Sequence, residues 1–412
     1  MTEGVIAVEL ITEKRISINL RKLIAWLYAL YGVRSVWLAF NSMDYSPVFY
    51  LLNQVIGYLC IPIGIFYLFI ENNFKVKQKN LVLVSIPFTY WLMCVFHTYG
   101  GWELGNGVVT LIQITLFLLL DNKIKASIFE KFYKTIQLTN IISIVVWMCY
   151  QFKIPIGIET VKFYYGGFAV YEKWFIFAIY HHNSTWSTLA DRLCGIFNEP
   201  GALGTICALL FIATFNSSKK WEKLLLLTTG CLTYSVAFFV LIFGYIILCF
   251  LKKGVKYSLI TAIVCALFLQ IPNMNFENPA LNTLASRLKI TETGFAGDNR
   301  LDDNYKAGYE SMKETNDIYF GYGKDFSFSG NSSSYIKYIV QFGYIGFGIM
   351  ILEWIIAAYF NIKNKDQLTY ILFFFASLYQ RPAPIISILG SILVFGGVAW
   401  MEYKNNIEKK IL

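Results

Sequence analysis

Seven arginines stand against 28 lysines in this chain, and the two cations are not used alike. Arg15 and Arg21 share a patch with Lys14 and Lys22, whereas Arg34, Arg192, Arg287, Arg300 and Arg381 stand apart from the lysine patches. A guanidinium is a planar fork that makes paired contacts to phosphate or carboxylate; an ammonium is a point charge. Arginine set apart from generic positive charge points to recognition of an anion. Arg192 opens the stretch Arg192-Leu-Cys-Gly195-Ile-Phe197-Asn-Glu199-Pro200-Gly201. Pro200 suits the first turn of a helix, and a carboxylate just before it is favoured by the helix dipole. Glu199 is therefore either a compensating cap or a carboxylate placed to accept a proton, and both readings stand at this point. His181 and His182, two of only three histidines, follow nine aromatics between Phe163 and Tyr180. Either histidine suits a base or a hydrogen-bond donor. A third ligand at zinc spacing is missing, so neither a metal site nor another cofactor is expected.

A second group of candidates lies further on. Asn278-Pro279 opens a stretch with Leu281, Leu284 and Leu288 on one helical face, carrying Arg287. Asp298-Asn299-Arg300-Leu-Asp302-Asp303 follows and leads into an amphipathic stretch with Tyr305, Tyr309 and Met312. Arg300 either meets an external anion or pairs with Asp302 or Asp303. Tyr335 closes this region, and Arg381 opens Arg381-Pro-Ala-Pro-Ile-Ile-Ser-Ile-Leu-Gly390 near the C-terminal end. Flat aromatic faces such as these are surfaces on which sugar rings lie.

The elements that position these residues are membrane spans. Hydrophobic residues make up 56% of the 412, charged residues only 15%, and mean hydropathy is +0.52. Soluble domains carry about 25% charged residues. A soluble enzyme, a nucleic-acid binder and a disordered chain are thereby excluded, and the net charge of +9 is no nucleic-acid signal. The eight cysteines lie in or beside apolar runs without CxxC spacing, as small hydrophobes do. The first 21 residues lack a small-residue cleavage site, so the first apolar run is expected to remain as a span. A span needs about 20 apolar residues. Candidates are 22–40, 47–70, 81–99, 105–120, 135–152, 200–215, 257–271, 335–360, 368–380 and 385–402.

Lysine placement orients them. The patches 14–22, 71–80, 121–134, 216–223, 252–256, 361–367 and 403–412 hold 22 of the 35 Lys and Arg, 20 of these as lysine. All are expected on the cytoplasmic side, together with both termini. That requires 224–251 to enter and return as two short segments, a re-entrant pair with Thr228, Thr229, Thr233 and Ser235 in its middle. The expected fold is therefore an all-α polytopic membrane protein, one integral membrane domain over 1–412. It has about 10 full spans, the short re-entrant pair and two long outward-facing loops, 153–199 and 272–334. The aromatic run of the first loop reads as an amphipathic segment lying at the membrane interface. Loops this long are usually functional, and these two carry most of the candidate residues.

Three stretches, RLCGIFNEPGALGT at 192–205, LLLLTTGCLTYS at 224–235 and the segment from Asn299 to Gly348, resemble the bacterial O-antigen polymerase and O-antigen ligase superfamily. RPAPIISILG at 381–390 fits its closing spans, and the resemblance covers the half from 190 onward. It implies a polymerase of surface polysaccharide in the bacterial plasma (inner) membrane. Such an enzyme joins undecaprenyl-diphosphate-linked oligosaccharide repeat units at the outer face by glycosyl transfer. By motif position it implies that Arg192 and Arg300 hold the diphosphate. Ligases of this family carry a histidine before the span that follows the second loop; Asn331-Ser332-Ser333-Ser334 stands there instead, which favours polymerase. The base is left among Glu199, His181 and His182. Arg287, Arg381, His182, Tyr305 and Tyr335 are expected substrate contacts. The partners are the lipid-linked glycan and membrane lipid, with a chain-length regulator left open and no nucleic acid. A flippase for the same glycan is the alternative from another class. It needs charges buried along a pathway, and only Arg34 and Glu353 lie clearly within the expected spans, away from their ends.

Overall fold

A computed structural model describes residues 20–33, 46–72, 78–96, 103–164, 168–181, 191–251, 303–323, 326–329, 334–379, 381 and 387–411, with shorter pieces between 254 and 295. The chain is mostly helical. The first half contributes α1 (20–33), α2 (Pro47–Asn72), α3 (Gln78–Phe96), α4 (Glu103–Leu119) and α5 (Asn122–Gln151). The core helix α6 (Pro200–Thr214) is followed by α7 (Lys220–Leu232) and α8 (Val236–Leu251). The second half adds α9 (Asp303–Lys313), α10 (Asp317–Phe320), α11 (Ile336–Asn361), α12 (Lys365–Leu378), α13 (Ile388–Ser391) and, after a π-helical turn Ile392–Gly396, α14 (Gly397–Ile411). Among the described residues, three stretches are long and apolar enough to cross a membrane: Pro47–Ile70, Asn122–Gln151 and Ile336–Asn361. Four shorter apolar helices accompany them. The expected span 257–271 falls almost wholly outside the described residues, as does the end of the first.

The stretch 224–251 does divide in two. The break falls at Thr233-Tyr234-Ser235, where Tyr234 takes φ 46°. Both halves pack on α6, every residue of which is buried. A helix apolar on all sides belongs inside a bundle. Gly204 and Gly230 permit this packing. A Cβ on Gly204 would stand 2.7 Å from Thr233 Oγ1 and 2.8 Å from Ser235 Cβ; one on Gly230 would stand 2.0 Å from the Phe238 ring. Gly230→Ala is therefore expected to lower stability by about 1–3 kcal/mol, against the gain of up to about 1 kcal/mol that helix propensity alone would give. Thermal unfolding in detergent measures the sign, and adding Phe238→Leu should recover part of the loss.

Five lysine patches meet at one end of the bundle. Tyr67 Oη donates to Asp121 Oδ2 (3.0 Å), and Asn80 Nδ2 reaches the Leu119 and Leu120 carbonyls at 3.3 Å. Tyr133 Oη lies 3.4 Å from Glu222 Oε2, Asn216 Nδ2 donates to Asp366 Oδ2 (3.2 Å), and Lys363 pairs with Glu402. These contacts join 71–80, 121–134, 216–223, 361–367 and the edge of 403–412. The patch 121–134 is not a loop, however. Asp121 caps α5, accepting from Lys123 N and Ile124 N, so the helix starts 13 residues before the expected span. Lys125 is buried there and donates to the Leu118 carbonyl at the end of α4 (2.7 Å).

Two expectations need correction. The chain is not all-α. The first long loop builds a four-stranded antiparallel meander of β1 (Glu159–Tyr164), β2 (Phe168–Trp174), β3 (Phe177–His181) and β4 (Arg192–Gly195), in sequential order. Its aromatic run is therefore strand, and the interfacial amphipathic segment is withdrawn. Aromatic and β-branched side chains fit a pleated surface, and β2 and β3 pair from Trp174↔Phe177 across a turn with Phe175 at φ 55°. A two-stranded ladder, β5 (Ile290–Thr291) with β6 (Gly294–Phe295), adds to this in the second loop.

The span at 335–360 is present as α11 but broken at Gly343, whose φ 68° and ψ 177° are not helical. At the break the Val340 and Gln341 carbonyls accept from Tyr322 N and Gly323 N, both 2.9 Å. The segment Gly321–Gly323 thereby ties the second loop to α11. The amphipathic stretch of that loop is α9, and it buries Tyr305, Tyr309 and Met312 as its periodicity requires. Below the break α11 packs on α3, where Thr89 Oγ1 donates to Glu353 Oε1 (2.8 Å).

Candidate functional site

Three helix ends and one strand converge at the end of α6 remote from the lysine patches. Glu199 occupies the N-cap of α6 with extended backbone, φ −144° and ψ 139°, yet its side chain makes no capping bond. Its Oε2 instead accepts from Arg381 Nη2. The two residues are 182 apart in sequence. Arg381 follows the last turn of α12, its backbone N–H donating to the Ser377 carbonyl (3.1 Å). Each charge thus sits at the helix pole that favours it, the anion at an N-terminus and the cation at a C-terminus. The side chain makes no capping hydrogen bond, yet its charge still lies where it compensates the α6 dipole, so both readings of Glu199 stand.

Arg192 lies at the start of β4, seven residues before Glu199. Its Nε donates to the Thr233 carbonyl (2.8 Å) and its Nη2 lies 3.4 Å from the Tyr234 carbonyl. These carbonyls end α7, so Arg192 meets a third helix terminus at its negative pole. Two motifs widely separated in sequence are joined by this contact, and Gly204 makes it sterically feasible by admitting the 233–235 turn. Gly195, at φ 62°, lets β4 pass close to α5, since a Cβ there would stand 2.7 Å from Ser143 Oγ. Tyr171 Oη donates to the Asn198 carbonyl (2.7 Å) and holds the turn before Glu199 against the sheet.

Cys194 lies between these charges. Burial pushes its thiol up; Glu199 adds to the rise, while Arg192 and Arg381 oppose it. All three charges lie near enough to this one buried sulfur to act on it. The cysteine is fully buried and donates to the Phe197 carbonyl (2.8 Å), so it packs the site and does not offer a nucleophile.

The second loop reaches the same region. Tyr335, at the N-cap of α11, packs its ring 5.4 Å from Tyr379, two residues before Arg381. Tyr305 lies elsewhere, in the small core of the second loop, with its ring 5.6 Å from Phe328 and no exposed surface. Burial pushes its hydroxyl up to about 12, and that oxygen finds no hydrogen-bond partner among the described residues. The backbone of His181 ends β3, whereas His182, Arg287 and Arg300 lie outside the described residues, as does Arg34. Among the described residues, no group of His, Cys, Asp and Glu could hold a metal ion. The sequence marked Arg192, Glu199, Arg381 and Tyr335 separately; that Arg381 is the partner of Glu199 had no local signal. Thr233 and Tyr234 act through backbone carbonyls and were not singled out for this role.

No protein-family model, no curated protein and no solved structure matches the chain.

Proposed function

We propose that the chain is a membrane glycosyltransferase that polymerises surface polysaccharide. Its donor is a growing glycan on undecaprenyl diphosphate and its acceptor is another lipid-linked repeat unit, joined at the outer face of the bacterial plasma membrane. The observation that carries this reading is the convergence of Arg192, Arg381 and Glu199 at the bundle end opposite the lysine patches. By lysine bias the end that carries the lysine patches is cytoplasmic, which turns the arginine cluster outward.

The chemistry asks for little else. A hydroxyl oxygen of the acceptor forms a bond to the anomeric carbon of the donor. The bond from that carbon to the diphosphate oxygen breaks, and the diphosphate leaves with the electron pair. Arginines stabilise the charge that develops on it, and Glu199 accepts the hydroxyl proton. Arg300 belongs to the same diphosphate site by motif position. The aromatic strands of the sheet offer faces for the sugar rings. A chain-length regulator is a further partner in this reading.

A flippase for the same lipid-linked glycan is the second reading. The observation in its favour is Glu353, an acidic side chain inside α11 that contacts Thr89 of α3. A strain lacking the protein separates the two. Under the polymerase reading its surface glycan runs on a gel as single repeat units. Accumulation of the lipid-linked unit on the inner leaflet would favour the flippase, and an unchanged glycan would remove both.

A further inference from the structure

We infer that Glu353 and Thr89 form a site inside the membrane that binds and exchanges a small monovalent cation, either a proton or a sodium ion. The site lies apart from the arginine cluster and does not depend on which of the two functional readings holds. Glu353 is carried by Ile336–Asn361, a stretch long and apolar enough to cross a membrane. It stands about 15 Å along the helix from the break at Gly343 and about 12 Å from Asn361, near the middle of the straight part of α11. Its neighbours on the helix surface, Ile349, Leu352 and Ile356, are apolar and exposed. The carboxyl therefore lies at an edge of the bundle that meets lipid.

The oxygens gathered there lack a counter-charge. Thr89 Oγ1 donates to Glu353 Oε1 at 2.8 Å, while Oε2 is buried and finds no hydrogen-bond partner among the described residues. Burial and the hydroxyls of Thr89 and Ser85 act on this carboxyl, and no charged side chain is among those influences. Ser85 lies one helical turn before Thr89 on the same face of α3, and its hydroxyl donates to the Val82 carbonyl (2.8 Å). Both hydroxyl protons are thus committed, and lone pairs are what remains to offer. Two carboxyl and two hydroxyl oxygens are the kind of set that a hard cation takes. A bare carboxylate at this depth is costly. A proton on Oε2, or a sodium ion held between the carboxyl and the hydroxyls, removes that cost. The elements packed on α11 supply no substitute. Besides Lys79 in its first turn, α3 carries Tyr90 and Cys94, which pack with Phe342 nearer the break. The π-helical turn Ile392–Gly396 has no titratable residue. Tyr309 of α9 and Tyr319 of α10 meet α11 around the break, at Tyr344 and Gly343. The cation therefore comes from outside the protein. Glu353 is only partly buried, so exchange asks for a turn of one side chain and no opening of the bundle.

The test is labelling of the full chain in lipid nanodiscs by dicyclohexylcarbodiimide, an apolar reagent that adds to a protonated carboxyl. Peptide mass spectrometry reads which carboxyl is modified, and Glu353→Gln checks the assignment. Wild type and Thr89→Val are compared, each first shown to melt alike. Glu353 is expected to be labelled faster than Glu402, which pairs with Lys363 at the lysine-rich end. Its labelling should fall about tenfold or more from about pH 6 to about pH 9. Sodium chloride in place of choline chloride at fixed pH tells the cations apart: a further slowing of about tenfold identifies sodium, and an unchanged rate identifies the proton. Thr89→Val keeps the shape, removes one oxygen and should shift the pH or sodium dependence. An unshifted profile in Thr89→Val would overturn the site as drawn. One rate at every pH, with and without sodium, would overturn exchange and leave Glu353 as a brace between α3 and α11. Absence of label on Glu353 at every pH would overturn the site altogether.

Discussion

Under the polymerase reading, Arg192→Lys is expected to abolish long glycan chains while the protein inserts at normal abundance. The guanidinium spends Nε and Nη2 on the Thr233 and Tyr234 carbonyls, so the orientation of its remaining edge is set by the fold. A lysine keeps the charge but has no rigid fork with which to hold both carbonyls and face an anion as well. Loss of one preorganised charge-stabilising donor costs about 10²–10³ in rate. A product built by repeated transfer would amplify such a loss, because each added unit meets it again. The measurement is polymer length on a gel beside a membrane blot for abundance. Near-normal chains at normal abundance would leave Arg192 as a helix-end tie with no part in the transfer. Falling abundance would instead give its contacts with the α7 end a structural weight, which Arg192→Gln should then share.

The largest effect on stability is expected at Gly343. A φ of 68° with ψ 177° lies in a region open almost solely to glycine. A Cβ there would also stand 2.1 Å from the Tyr319 carbonyl oxygen and 2.4 Å from Phe320 N, backbone atoms that cannot swing aside. Strain of this kind costs about 1–3 kcal/mol before the clash is counted. Gly343→Ala should therefore straighten α11 or expel Gly321–Gly323 from it. Either result frees the Val340 and Gln341 carbonyls and loosens α9 and α10. Limited proteolysis should cut the 321–334 segment faster than in wild type, with a lower unfolding temperature. Unchanged cleavage would show that the second loop does not depend on this break for its attachment.

Much of the bundle was legible because it depends on local composition. The break within 224–251 followed from lysines at both ends and polar residues between, and Tyr305, Tyr309 and Met312 announced the buried face of α9 by their spacing. The sheet was missed because aromatic density suits both an interfacial helix and a strand. The signals that separate them were present, in Gly166-Gly167 between two aromatic runs and in the β-branched Thr160, Val161 and Val170. Arg192 and Glu199 stood out by residue type within one motif. The pairing of Glu199 with Arg381 could not, since it is made by antiparallel packing of α6 and α12 and has no trace in either segment. Nor did Gly343 stand out among neighbouring glycines, because its role comes from Tyr319, which packs on it from the preceding loop.

The long sequence separation of Glu199 and Arg381 sets an order of events during synthesis. The sheet is assembled from consecutive strands, and Arg192 and Glu199 are in place as soon as α6 is made. Arg381 comes 182 residues later. At about 5–20 residues per second, that is a delay of about 10–40 s on the ribosome. Through that interval the nascent chain holds Arg192 and Glu199 without Arg381. A chain arrested or clipped before its last helices would insert, carry its sheet and keep Arg192, and still lack the guanidinium that closes the site. Closure of the Glu199–Arg381 contact therefore waits on synthesis of α12 and the residue that follows its last turn.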